Sequence, residues 1–260
     1  MAKMSIGKAW EEASAFVARE RALLLPVALL FIALPAVILQ EMTPPELIGL
    51  TFAQVQAALP QVPASYWTAM LLTTILLWFG SMTIFGLVLR SGISVGESLR
   101  LALARMPILL GATLLLMVAM FFAVIVGGGI AGALATVVPA AAGLFAAAMI
   151  GFVVWAGLRC LLLNTVILDK QLGITGSIRH AWRLSRGSVA RFAAFFLVGL
   201  ALSLLASLAA QLVFGTVALL IAGKSVGLFV ANLASSVVST IVLVYMLVMI
   251  ARLYRQAEDA

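Results

Sequence analysis

Six apolar runs, each about twenty to thirty residues long and nearly free of charge, leave this chain one class of fold. A run of that length spans a bilayer as a helix, and no soluble core of 260 residues has room to hide six of them. Hydrophobic residues are 65% of the chain and charged residues 10%, against about 45–50% and about 25% in soluble domains. Mean hydropathy is +1.23. The runs are continuous rather than alternating, so the spans are expected as helices and not as barrel strands.

The expected spans are Ala22–Gln40, Tyr66–Leu89, Pro107–Val126, Ala140–Leu163, Phe192–Ile221 and Gly227–Ala251. The first is about 28 Å long at 1.5 Å per residue, enough for the hydrocarbon core. Pro26 and Pro35 are expected to kink it. A charged stretch of about twenty residues precedes it with no cleavage site behind it, so it reads as a signal anchor. Gly127-Gly128-Gly129 is expected to end the third span and open a turn reaching Pro139. Gly223-Lys224-Ser225 is expected as a tight turn, and the loop Glu41–Ser65 is expected to carry a short surface helix over Pro45–Leu59.

Of the sixteen Lys and Arg residues, fifteen then fall on one side, with Lys224 the exception. Basic residues in short loops stay cytoplasmic during insertion, so both termini are expected inside, in the inner membrane of a bacterium. The pI of about 10.3 therefore points to anionic headgroups beside the spans rather than to nucleic acid. One cysteine, Cys160, permits no intrachain disulfide, and one histidine, His180, excludes a His-rich metal site. No cofactor or metal is expected.

A spelling recurs ahead of spans one, three and five. Gly7-Lys8-Ala9-Trp10-Glu11-Glu12-Ala13, Gly96-Glu97-Ser98-Leu99-Arg100-Leu101-Ala102 and Gly176-Ser177-Ile178-Arg179-His180-Ala181 align on Ala9, Ser98 and Ser177. The expectation is a threefold internal repeat of one cytoplasmic amphipathic helix plus a span pair, with units at about 4–89, 90–163 and 170–251. In the third unit Arg179, Arg183 and Arg186 form one stripe. Ile174, Ile178, Ala181, Trp182 and Ser185 lie opposite, and Gly187 is placed to end the helix. With Arg191, these arginines are the candidates for contact with anionic lipid.

Polar residues inside the spans are mild. Gly199, Ser203, Ser207 and Gln211 recur at four-residue spacing in span five; Ser235 and Ser239, and Asn232, Ser236 and Thr240, do so in span six. Gly143, Ala147 and Gly151 do the same in span four. Such spacing serves close helix packing. The competing reading is a mid-membrane polar path lined by Gln211, Asn232 and Ser236, as a transporter or lipid-moving protein would need. No Asp, Glu, Lys or Arg occupies the centre of any span, which weighs against ion-coupled transport. No nucleophile elbow, phosphate loop or zinc helix is present, so no enzyme activity is expected.

The segment Ser177–Gly187 ahead of a long apolar span resembles one in the membrane domain of bacterial glycerophosphoryl diester phosphodiesterases and in related uncharacterised six-span inner-membrane families. The resemblance implies a six-helix membrane module. It carries no catalytic residue over, since the catalytic barrel of those enzymes has no counterpart in these 260 residues. All of this leads to an all-α bundle of six transmembrane helices with three cytoplasmic interfacial helices, acting as a non-enzymatic module that contacts anionic lipid or scaffolds membrane partners.

Overall fold

The computed structural model describes residues 5–44, 47, 62–90, 92–170 and 172–259; the expected helix over Pro45–Leu59 lies outside the described residues. Among the described residues ten α-helices follow in order: α1 Ile6–Ala28, α2 Leu34–Glu41, α3 Ala64–Leu89, α4 Val95–Val137, α5 Pro139–Arg159, α6 Leu163–Asp169, α7 Ile174–Leu184, α8 Val189–Ala210, α9 Thr216–Ala222 and α10 Lys224–Glu258. Single π-helical turns, Leu29–Ala33 and Gln211–Gly215, join α1 to α2 and α8 to α9. Six helical stretches are long and apolar enough to cross a membrane, so the chain is a multi-pass membrane protein of all-α class.

The first helix bends where charge gives way to apolar residues. Glu20 leaves helical geometry at φ −103°, ψ 15°, separating Ile6–Arg19 from the apolar stretch that follows. The π turn lies just ahead of Pro35, whose missing N–H leaves a carbonyl of that turn without its usual donor. The start of α1 and the end of α10 lie together: the Ser5 N–H donates to Gln256 Oε1 at 2.9 Å, and Arg255 donates to the Leu89 carbonyl at the foot of α3.

Three expectations are corrected. The helix preceding span three is not separate, because α4 runs unbroken for 43 residues from a Ser94–Glu97 capping box. Nor do the three glycines end it. In water glycine backbone competes for solvent, but in hydrocarbon every N–H must be satisfied within the helix, so the helix continues to Val137. Gly127 instead admits Met149 of α5: a Cβ there would overlap the terminal methyl of that side chain. Span four, in turn, stops at Arg159. A turn at Cys160–Leu162 separates it from α6, whose Leu163, Val166, Ile167 and Leu168 are all buried.

Burial is concentrated near the termini. The apolar 18-residue windows that qualify α1–α2, α3 and α10 as spans are 39%, 50% and 44% buried, whereas those of α4, α5–α6 and α8–α9 are 11%, 6% and 17%. Beyond Ala112, Gly127 is the one buried residue described in α4, so its far half and α5 form a hairpin packed chiefly on itself. Gly143 and Gly151 of α5 have no neighbouring atom where a Cβ would stand, so the small stripe there does not serve packing within the chain.

The aligned small residues share one environment. Ala9 and Ala13, Ser98 and Ala102, and Ser177 and Ala181 are all fully buried. Ser98 Oγ donates to the Thr83 carbonyl at 2.7 Å, closing the α3–α4 crossing.

Candidate functional site

The end of the bundle where α1 starts and α10 ends is built around α6 and α7. Helix α7 turns Ser177 and Ala181 inward, fully buried, with Ser185 buried just past its end. Arg179 and Arg183 are exposed. The helix ends at Leu184, so Arg186 belongs to the turn that follows, and Gly187 takes φ +80° as its position requires. Arg186 and Arg191 are also exposed. All four candidate arginines thus lie along α7 and the start of α8.

A polar relay ties this helix to the chain's last turn. Arg183 Nη2 lies 2.9 Å from His180 Nδ1, and His180 Nε2 lies 2.5 Å from Glu258 Oε1. An Arg cannot accept, so Nδ1 accepts and Nε2–H donates to the carboxylate. The second Glu258 oxygen meets Lys170 Nζ at 3.1 Å, and the Tyr254 hydroxyl donates to Asp169 Oδ2 at 2.7 Å. The hydrogen bond to Glu258 raises the Lys170 ammonium above the ordinary lysine value, which keeps it charged. Sequence reading missed this relay because His180 and Glu258 stand 78 residues apart and nothing local marks either.

Arg159 is the second feature that was only half legible. It is the last residue of α5, and its guanidinium lies 4.7 Å from the Trp155 ring centre and 4.8 Å from that of Trp182. The two indoles meet edge to face at 5.3 Å. The i, i+4 spacing of Trp155 and Arg159 was visible in the sequence; the contribution of Trp182 from α7 was not.

No hydrogen bond links Ser236 to Gln211 or Asn232 among the described residues, although Asn232 and Ser236 stand four residues apart on α10. Gln211 Nε2 donates to Ser235 Oγ at 3.1 Å, and Ser207 and Ser239 hydroxyls meet at 2.7 Å, so the serine stripes form a ladder between α8 and α10. Asn232 Nδ2 donates to Glu41 Oε1 at 3.0 Å, which sets it level with the end of α2. Ser236 is buried, and its hydroxyl has no partner among the described residues. No cluster of three or more His, Cys, Asp or Glu side chains fit for a metal occurs among the described residues. No protein-family model matches the chain, and no curated protein or solved structure shows significant similarity to it.

Proposed function

We propose that this chain is a non-enzymatic module of a bacterial cytoplasmic membrane whose basic end, facing the cytoplasm, contacts anionic lipid. One observation carries the reading: Arg179 and Arg183 on α7, Arg186 in the turn after it and Arg191 at the start of α8 are all exposed, while Ser177 and Ala181 on the other side of α7 and Ser185 at its end are buried in the bundle. Charges held at that level meet phosphate headgroups, each contributing about 1 kcal/mol near an anionic surface. The grouping of the start of α1 and the end of α10 with this end agrees with the positive-inside distribution. The resemblance of Ser177–Gly187 to a segment in the membrane domain of glycerophosphoryl diester phosphodiesterases implies a six-helix membrane module and no more.

The test is the selectivity of boundary lipid. Full-length protein is reconstituted with spin-labelled phosphatidylglycerol or phosphatidylcholine, and the motionally restricted fraction of each is measured. Wild-type protein should prefer the anionic label, less so at high salt. Changing all four arginines to Gln should remove most of that preference. An unchanged ratio in the variant would sink the proposal.

A further inference from the structure

Beside Arg159 lies a half-open cavity of about 290 Å³ walled almost wholly by apolar atoms. Leu116 and Met120 of α4, Phe152 and Gly157 of α5 and Trp182 of α7 line it, and Trp182 is also one of the two rings against the Arg159 guanidinium. The arginine is peculiar in its partners. Its Nε is buried and has no hydrogen-bond partner among the described residues. Contact with ring faces engages the charge but uses none of the five N–H donors. A half-buried cation without an anion is costly, and two indoles offset only part of that cost.

The volume is too small for a whole ligand of ordinary size but suits a stretch of one acyl chain. An apolar slot beside a cation whose donors remain unspent matches a molecule with an anion at one end and a hydrocarbon chain behind it. We propose that Arg159, Trp155, Trp182 and this cavity form a defined site for one anionic glycerophospholipid, the phosphate on the guanidinium and part of one chain in the slot. The proposal rests on the lipid-contacting reading of the basic end and sharpens it from a charged surface to a saturable site. Charge complementarity selects this occupant over a neutral lipid, and the fork of a guanidinium suits phosphate oxygens.

The experiment uses the full chain in neutral detergent with Trp10, Trp67 and Trp78 changed to Phe, leaving Trp155 and Trp182 as reporters. Phosphatidylglycerol or phosphatidylcholine with brominated acyl chains is titrated in, and quenching is followed. The anionic lipid should quench saturably and at about tenfold lower concentration than the neutral one, the effect of one charge-assisted contact. Arg159→Gln should bring the two curves together. Gly157→Leu, at a position with open space around its Cα, should fill the slot and abolish saturable quenching while retaining the guanidinium. Arg179, Arg183 and Arg186 changed together to Gln should leave the half-saturation point within about twofold, so loss of surface selectivity and loss of this site are separable. Equal quenching by both lipids in the starting protein overturns the proposal. So does an unchanged anionic curve in Gly157→Leu, which decides the matter even should Arg159→Gln fail to fold.

Discussion

Gly86 and Ser98 test whether the α3–α4 crossing is held as tightly as its geometry implies. A Cβ built on Gly86 would overlap Ser98 Oγ and stand 3.4 Å from Ser98 Cβ and 3.7 Å from Leu168 Cδ2. Gly86→Ala must therefore expel the hydroxyl, which then gives up its 2.7 Å bond to the Thr83 carbonyl in a fully buried place. Interhelical bonds of this kind in membranes are worth about 0.6–1.7 kcal/mol, and a stranded buried hydroxyl costs about 1–3 kcal/mol. Better helix propensity returns up to about 1 kcal/mol, so the single variant should lose roughly 1–2 kcal/mol net. Ser98→Ala alone should lose about 1 kcal/mol. The double variant has no oxygen left to expel, and the Cβ that stays behind at position 98, 3.4 Å away, is tight but tolerable. It should therefore be no less stable than Ser98→Ala, giving a coupling of about 1–3 kcal/mol, since the propensity term subtracted from the single variant cancels in the cycle. Unfolding in mixed micelles of neutral detergent and dodecyl sulfate, followed by tryptophan fluorescence, measures all four proteins. Additivity within about 0.5 kcal/mol would refute the steric argument.

Tyr254→Phe removes the donation to Asp169 from a side chain only 2% exposed and should cost about 1.5–3 kcal/mol in the same assay; a loss under about 0.5 kcal/mol would mean the relay does not hold the terminal turn. Gly223 has φ +84° and ψ 178°, a region open essentially to glycine alone, so Gly223→Ala should cost about 1–3 kcal/mol while Lys224→Ala stays within about 0.5 kcal/mol. Alkaline phosphatase fused after Thr43, Val138 or Gly223 should be active, and after Arg100 or Asp169 inactive. The opposite pattern would invert the topology.

What could be read from the sequence followed from rules that act locally. Span existence depends on apolar length alone, and Gly187 and Gly223 take positive φ between helices, although Lys224 and Ser225, expected in the turn with Gly223, already belong to α10. The triple glycine misled because its reading as a stop presumes water around the backbone. The break after Arg159 was hidden inside a mostly apolar run, since Leu163, Val166, Ile167 and Leu168 of α6 are buried and its one exposed residue, Asp169, comes at its end. Its environment at the packed end, rather than its spelling, decides it. The spacing places Arg179 and Arg183 on α7 but overextended the helix to Arg186, and Trp182 against Arg159 and Glu258 against His180 join segments far apart in the chain. No periodicity carries such pairings.

The unbroken course of α4 has a mechanical consequence. Forty-three residues make a rod about 64 Å long, and its apolar part from Met106 to Val137 is about 48 Å, well beyond a hydrocarbon thickness of about 30 Å. Its neighbour α5, with 21 residues, is about 32 Å and fits. The longer rod must tilt or flex to stay covered. Its near end is anchored by Ser98, Ala102, Met106 and Leu109 in the core, and its one weakened point is Pro107, where a backbone donor is missing. Bilayer thickness is therefore a load applied to a lever whose short arm ends at the Ser98–Thr83 bond. A thinner membrane lays the long arm down, and the strain is delivered to the crossing of α3 and α4.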